Sequence, residues 1–240
     1  MTRPALFALL AGAAAGAFAA PVPKDTQTEE RLLKLYGTRA DEKKRGTFSL
    51  GGDRLTIALA AHVDEPFDPR KPPSQKPTPL DATRITREIS GDFVACVGIT
   101  CPRPPTPPDL VPAQMGGGIG VVLGEGHYFT AERHHVLRYD FNAKLVWDGS
   151  FDSTVRRLNP AASRSCYSSH RGSIGPLQVR LTRRGDKFTA EASADGKKWE
   201  ELQSVAVNAP EKLRVGLFAH HNTKEAADIV FVGYTVTRPE

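Results

Sequence analysis

The sequence predicts an all-β protein, a sandwich of two antiparallel sheets, on three observations. Short segments alternate apolar and polar residues with period two, so each offers one apolar face and needs a second sheet to cover it. Turn residues bound these segments: the chain holds 21 glycines and 19 prolines. After residue 46 almost no stretch shows helical periodicity.

The elements justify this in order. Arg3 precedes an apolar run over residues 5–18, the pattern of an export signal over residues 1–19, with Ala17 and Ala19 suiting a cleavage site before Ala20. The run is too short to span a bilayer comfortably, so no membrane span is expected after cleavage and the mature chain is expected to be secreted or periplasmic. Residues 20–45 read as a linker or short amphipathic helix, since Leu32, Leu33, Leu35 and Tyr36 cluster among charges. The sandwich domain is expected over residues 46–240.

Strands follow at 54–61, at 83–89 and 93–100 as a hairpin about Ser90-Gly91-Asp92, and at 116–123. Further strands are expected at 128–133, 136–141, 144–147, 177–183, 187–193, 198–205, 213–220 and 228–237, about eleven or twelve in all. Asp195-Gly196 signals a tight hairpin turn. The proline-rich stretches 65–80 and 101–112 cannot form central strands, because proline lacks the ladder donor, and residues 148–174 read as loop.

Charge narrows the partners. Removing the signal takes away Arg3 and lowers the formal charge from +5 to +4, and the charges are dispersed in mixed clusters, which argues against nucleic acid. Of three cysteines, Cys96 and Cys101 on one strand would lie about 16 Å apart, too far to bridge, so Cys101 with Cys166 is the better disulfide pair. Zinc spacing is missing, and His134-His135 and His220-His221 each point to opposite sides of a strand, so no metal site is expected. Asp148, Ser150 and Asp152 alternate oxygen donors, a weak calcium pattern without the Gly and distal Glu of a complete loop; no other cofactor is expected.

In residues 116–123, Ile119, Val121 and Leu123 fall on one face and Gly116, Gly118 and Gly120 on the other. The bare face marks a sheet crossing or bulge, or floors a groove. By the same parity Gln178, Arg180, Glu191 and His220 lie opposite the core. With Tyr128 and Glu132 they form a candidate ligand groove if their strands share one sheet. The paired carboxylates of a glycosidase and the Gly-x-Ser-x-Gly elbow of a hydrolase are both missing, so no catalytic residue is assigned.

The motif order resembles the DUF1349 (regulation of enolase-like) family of the concanavalin A-like lectin and glucanase superfamily. The resemblance runs from about residue 46 to 236 and is carried by residues 84–93, the glycine strand 116–122, Glu132-Arg133, residues 177–199 with their Ser-Ala-Asp-Gly-Lys-Lys-Trp block, and residues 215–220. It implies a jelly-roll sandwich whose concave face or edge loops hold carbohydrate in the superfamily, while DUF1349 itself has no settled activity. The expectation is therefore a secreted, non-catalytic domain that binds a glycan or cell-surface polymer. The alternatives are a structural or protein-interaction module with a protein partner, or a glycosidase-like enzyme.

Overall fold

The computed structural model describes residues 26–41, 44–61, 82–101, 113–124, 127–139, 145–156, 164–168, 177–222 and 225–239. The expected export signal and both proline-rich stretches lie outside these residues, save Cys101. No helix among the described residues is long and apolar enough to cross a membrane.

One helix, α1 (Thr26–Tyr36), precedes fourteen strands. In chain order they are β1 (Thr38–Ala40), β2 (Gly46–Gly51), β3 (Arg54–Leu59), β4 (Thr83–Ser90), β5 (Phe93–Thr100), β6 (Ala113–Gly124) and β7 (His127–Tyr139). Then come β8 (Leu145–Arg156), β9 (Arg164–Ser168), β10 (Leu177–Arg184), β11 (Lys187–Ser193), β12 (Glu200–Ala206), β13 (Lys212–Asn222) and β14 (Ala227–Thr237). They form two seven-stranded sheets, β1-β4-β13-β6-β7-β8-β9 and β12-β11-β10-β5-β14-β3-β2, antiparallel at every pairing. This is the expected jelly-roll sandwich.

Period-two burial explains the layering. Phe93, Ala95, Val97 and Ile99 on β5 are buried while the residues between them are half-exposed, and Leu177, Val179 and Leu181 repeat the pattern on β10. They meet Ile85, Ile119, Val121, Phe129, Leu213, Val215 and Leu217 from the other sheet in one core.

Several local expectations change. Residues 83–89 and 93–100 are not a hairpin. β4 pairs with β1 and β13 in the first sheet, while β5 pairs with β10 and β14 in the second, so the Ser90-Gly91-Asp92 turn carries the chain from one layer to the other. The turn is held from outside: the Gly91 N–H donates to Glu211 O at 3.1 Å, and the Gly185 N–H donates to the Asp92 carboxylate at 2.7 Å. Residues 128–133 and the described part of 136–141, up to Tyr139, belong to the single strand β7, and residues 148–156, expected as loop, complete β8, which places the Asp148–Ser150–Asp152 calcium pattern on a strand. The side chains of β8 lie outside the described residues.

The Asp195-Gly196 turn is wider than two residues. Ser193 Oγ accepts the Gly196 N–H at 2.9 Å, and the Asp195 carboxylate accepts the N–H groups of Lys197 and Lys198 at 2.8 Å each. Those bonds hold the exposed Asp195 carboxyl below its usual range.

Within the segment expected as a linker or short helix, α1 forms and packs on the sandwich. Leu32 and Tyr36, four residues apart on one face of α1, are buried in the core cluster, and Tyr36 stacks on Tyr234 of β14 at 5.6 Å. Gly37 ends the helix at φ 100°, donating to Leu33 O at 3.0 Å. Cys101 is a free thiol in the core, so the expected bridge to Cys166 is absent; the Cys166 side chain lies outside the described residues.

Candidate functional site

The glycine strand sits in the middle of the first sheet, between β13 and β7. Register aligns Thr86 with Gly216, Gly216 with Gly120, and Gly120 with Thr130. Two neighbouring strands therefore offer hydrogen in place of side chains, side by side, within a row about 14 Å wide. The result is a shallow hollow on the outer face of the sheet, with room inside for about one water. Glycines 120 and 216 floor it, and Arg84, Thr86, Val122, Tyr128 and Phe218 stand around it.

The remaining glycines serve a different end. One register step along, β13 and β7 lie roughly 10 Å apart across β6, and His220 and Glu132 bridge that span. His220 Nε2 lies 3.0 Å from Glu132 Oε2, directly over the bare strand. A Cβ at Gly116 would stand 3.1 Å from His220 Nε2, and one at Gly118 would collide with the Glu132 backbone at 2.6 Å. The missing side chains at 116 and 118 are thus the space in which the pair meets. Phe218 lies nearly parallel to the His220 ring at 6.1 Å, and His134 approaches it at 5.7 Å. His220 Nδ1 is buried without a hydrogen-bond partner among the described residues. Phe218, Tyr128, Thr130 and Glu132 are all buried although they occupy the outer face.

The six candidate residues divide between two surfaces. Tyr128 lines the hollow, and Glu132 pairs with His220 farther along the same first sheet. Gln178, Arg180 and Glu191 lie on the outer face of the second sheet, because β10 and β11 pair with β5 and β12. The condition that their four strands share one sheet is not met, so the six residues do not form a single groove.

On that second face Arg180 donates to Glu191 through Nε and Nη2, both at 2.7 Å, and its guanidinium lies over the Trp199 ring at 4.2 Å. The Glu191 hydrogen bonds hold the Arg180 pKa above its ordinary value. Trp199, the end of the Ser-Ala-Asp-Gly-Lys-Lys-Trp block, is half-buried and stacks on this ion pair.

Arg84, Thr86, Gly216 and Phe218 were missed in the sequence. Gly216 and Phe218 share parity with His220 on β13, so alternation alone could have found them; Arg84 and Thr86 required the β4–β13 register. The adjacent histidines do face opposite ways: His221 turns inward, its Nε2 2.8 Å from Ala60 O. Among the described residues no group of three His, Cys, Asp or Glu is placed to hold a metal ion.

No family model matches the chain, and a search of curated proteins finds no match. Solved structures share its fold. A functionally unknown protein from Saccharomyces cerevisiae aligns with a TM-score of 0.61 at 15% identity, over 85% of this chain and 96% of its own. A legume lectin-like domain from Entamoeba histolytica aligns with a TM-score of 0.50 at 8% identity, over 88% and 93%. A GH43 protein from Bacillus licheniformis aligns with a TM-score of 0.50 at 14% identity, over 83% of this chain and 40% of the larger protein. At these identities the likeness is one of fold, a two-sheet jelly-roll sandwich.

Proposed function

We propose that this chain is an exported, non-catalytic carbohydrate-binding domain of the DUF1349 kind, which takes a glycan or cell-surface polymer at the hollow over Gly120 and Gly216. One observation carries the reading: a bare two-strand floor of Gly120 and Gly216 in the middle of the outer face, with Arg84, Thr86 and the buried Tyr128 and Phe218 around it. A sugar ring has an apolar face, and an apolar floor without side chains lets that face approach the sheet. The lectin-like neighbour supports the same reading by fold, as analogy. Export rests on the apolar run over residues 5–18. No calcium or other cofactor is assigned.

The reading is tested by retention on immobilised soluble polysaccharides. Wild-type protein is expected to be retained, and Tyr128→Ala to weaken retention at least fivefold with its thermal transition kept. Uniform flow-through of the wild type across a broad glycan panel, with capture of a protein partner instead, favours an interaction module. Release of reducing sugar that vanishes in Glu132→Gln would show an enzyme.

A further inference from the structure

We propose a second carbohydrate-binding surface, on the outer face of the opposite sheet, formed by Trp199, Arg180, Glu191 and Gln178. It goes beyond the hollow and stands without it, since the two lie on opposite sides of the sandwich.

The platform is preorganised. Trp199 and the Arg180 guanidinium are stacked at 4.2 Å, and Glu191 fixes the guanidinium with two parallel hydrogen bonds of 2.7 Å. This leaves Arg180 Nη1 without a hydrogen-bond partner among the described residues, and the Gln178 amide, two residues along the same face, is also unpartnered there. Gln178 lies against the hairpin: a Cβ on Gly196 would stand 2.8 Å from its Nε2. Beside these two residues, β5 places only the small Cys96 and Gly98, in register with Arg180 and Gln178. A half-buried indole, a fixed guanidinium edge and an amide thus surround a low floor.

The occupant follows from the chemistry. Arg180 and Glu191 neutralise each other, so the patch has no net charge to attract an anionic chain or nucleic acid. β10 lies between β5 and β11, so its backbone groups are already paired and a peptide cannot add here as a strand. What remains is a set of planar donors and acceptors next to an aromatic ring, the complement of the vicinal hydroxyls of a neutral sugar. Two such faces on opposite sides of one domain would let it cross-link a polymer.

Affinity electrophoresis in gels containing arabinoxylan, galactomannan or mixed-linkage glucan tests this, with polygalacturonate as the anionic control. Gln178→Ala, which removes no hydrogen bond among the described residues, and Trp199→Ala are each expected to weaken retardation at least fivefold in one neutral gel. Retardation should survive in part in Tyr128→Ala and vanish in the Tyr128→Ala, Gln178→Ala double variant. Wild-type protein should also raise the turbidity of that polymer, and each single-site variant should not. If Gln178→Ala and Trp199→Ala both migrate as wild type while Tyr128→Ala loses all retardation, the second surface is overturned and the hollow stands. If Tyr128→Ala migrates as wild type while Gln178→Ala loses everything, the hollow fails and the second surface stands. Unretarded wild type in every neutral gel overturns both.

Discussion

Cys101 shows how burial at one position shapes the whole stability curve. Its thiol lies in the core near Arg133, whose guanidinium donates to Ile99 O at 3.2 Å. Burial pushes the thiol up from 9.0 to about 12, against the smaller opposing pull of Arg133. In the unfolded chain the thiol ionises near its ordinary value, so between pH 9 and 12 the unfolded state has lost a proton that the native state keeps. The contribution is therefore complete below pH 9 and is lost as pH rises toward 12, by about 1.4 kcal/mol per pH unit. Burial raises Tyr36 and Tyr234 as well, and their alkaline loss adds to it. Cys101→Ala isolates the thiol. In chemical denaturation its unfolding free energy should fall less steeply than that of wild type, the gap changing by roughly 2–3 kcal/mol from pH 9 to 11. Parallel curves would contradict the assignment. No such environment was legible beforehand: spacing excluded a Cys96–Cys101 bridge, but where Cys101 packs depends on the sheet-to-sheet contact and not on its neighbours in sequence.

At the scale of elements, the glycine row is where sequence and structure meet best. Alternation on β6 separated Ile119 and Val121 from Gly116, Gly118 and Gly120 correctly, because the side-chain period of a strand is a local property. What it could not reveal is the partner across the ladder: Gly216 pairs with Gly120, Glu132 reaches His220 over Gly116 and Gly118, and Gln178 and Arg180 fall on the other sheet. The same limit explains the misplaced hairpin, since β4 and β5 look complementary but sit in different layers. It explains β9 too, a strand in a Ser- and Arg-rich stretch whose pairing comes from β8. The row also makes a stability prediction. A Cβ on Gly216 would stand 1.9 Å from Ile85 O and 2.6 Å from Thr86 Cα, backbone atoms that move only if the β4–β13 ladder moves. Gly216→Ala should therefore cost at least about 1–3 kcal/mol, the usual range for overpacking. Gly51, at the end of β2, would meet nothing within 4 Å, and Gly51→Ala should stay within about 0.5 kcal/mol. Equal melting temperatures for the two variants would show that the row can relax without opening the floor.

Over the whole molecule, the two last strands tie the sandwich together. β13 lies between β4 and β6 in one sheet, and β14 lies between β5 and β3 in the other, so each sheet has a central strand from the C-terminal end of the chain. β14 brings Ile229 and Phe231 into the core, fully buried, and its register joins Phe231 to Leu55 on one side and Ile99 on the other. Without it the second sheet divides into β12-β11-β10-β5 and β3-β2, with two unpaired edges flanking exposed core residues. Tyr36 would lose Tyr234, and α1 its aromatic contact with the sandwich. Because the strands that must meet are so far apart in sequence, a central strand cannot be replaced by local pairing, and its loss is not confined to one end. A chain ending at residue 226 should then lack the cooperative thermal transition of the full chain and bind a hydrophobic dye, even though every N-terminal strand is present. A truncated chain that melts cooperatively within a few degrees of the full-length protein would show that the first sheet and its partners fold without the second sheet's central strand.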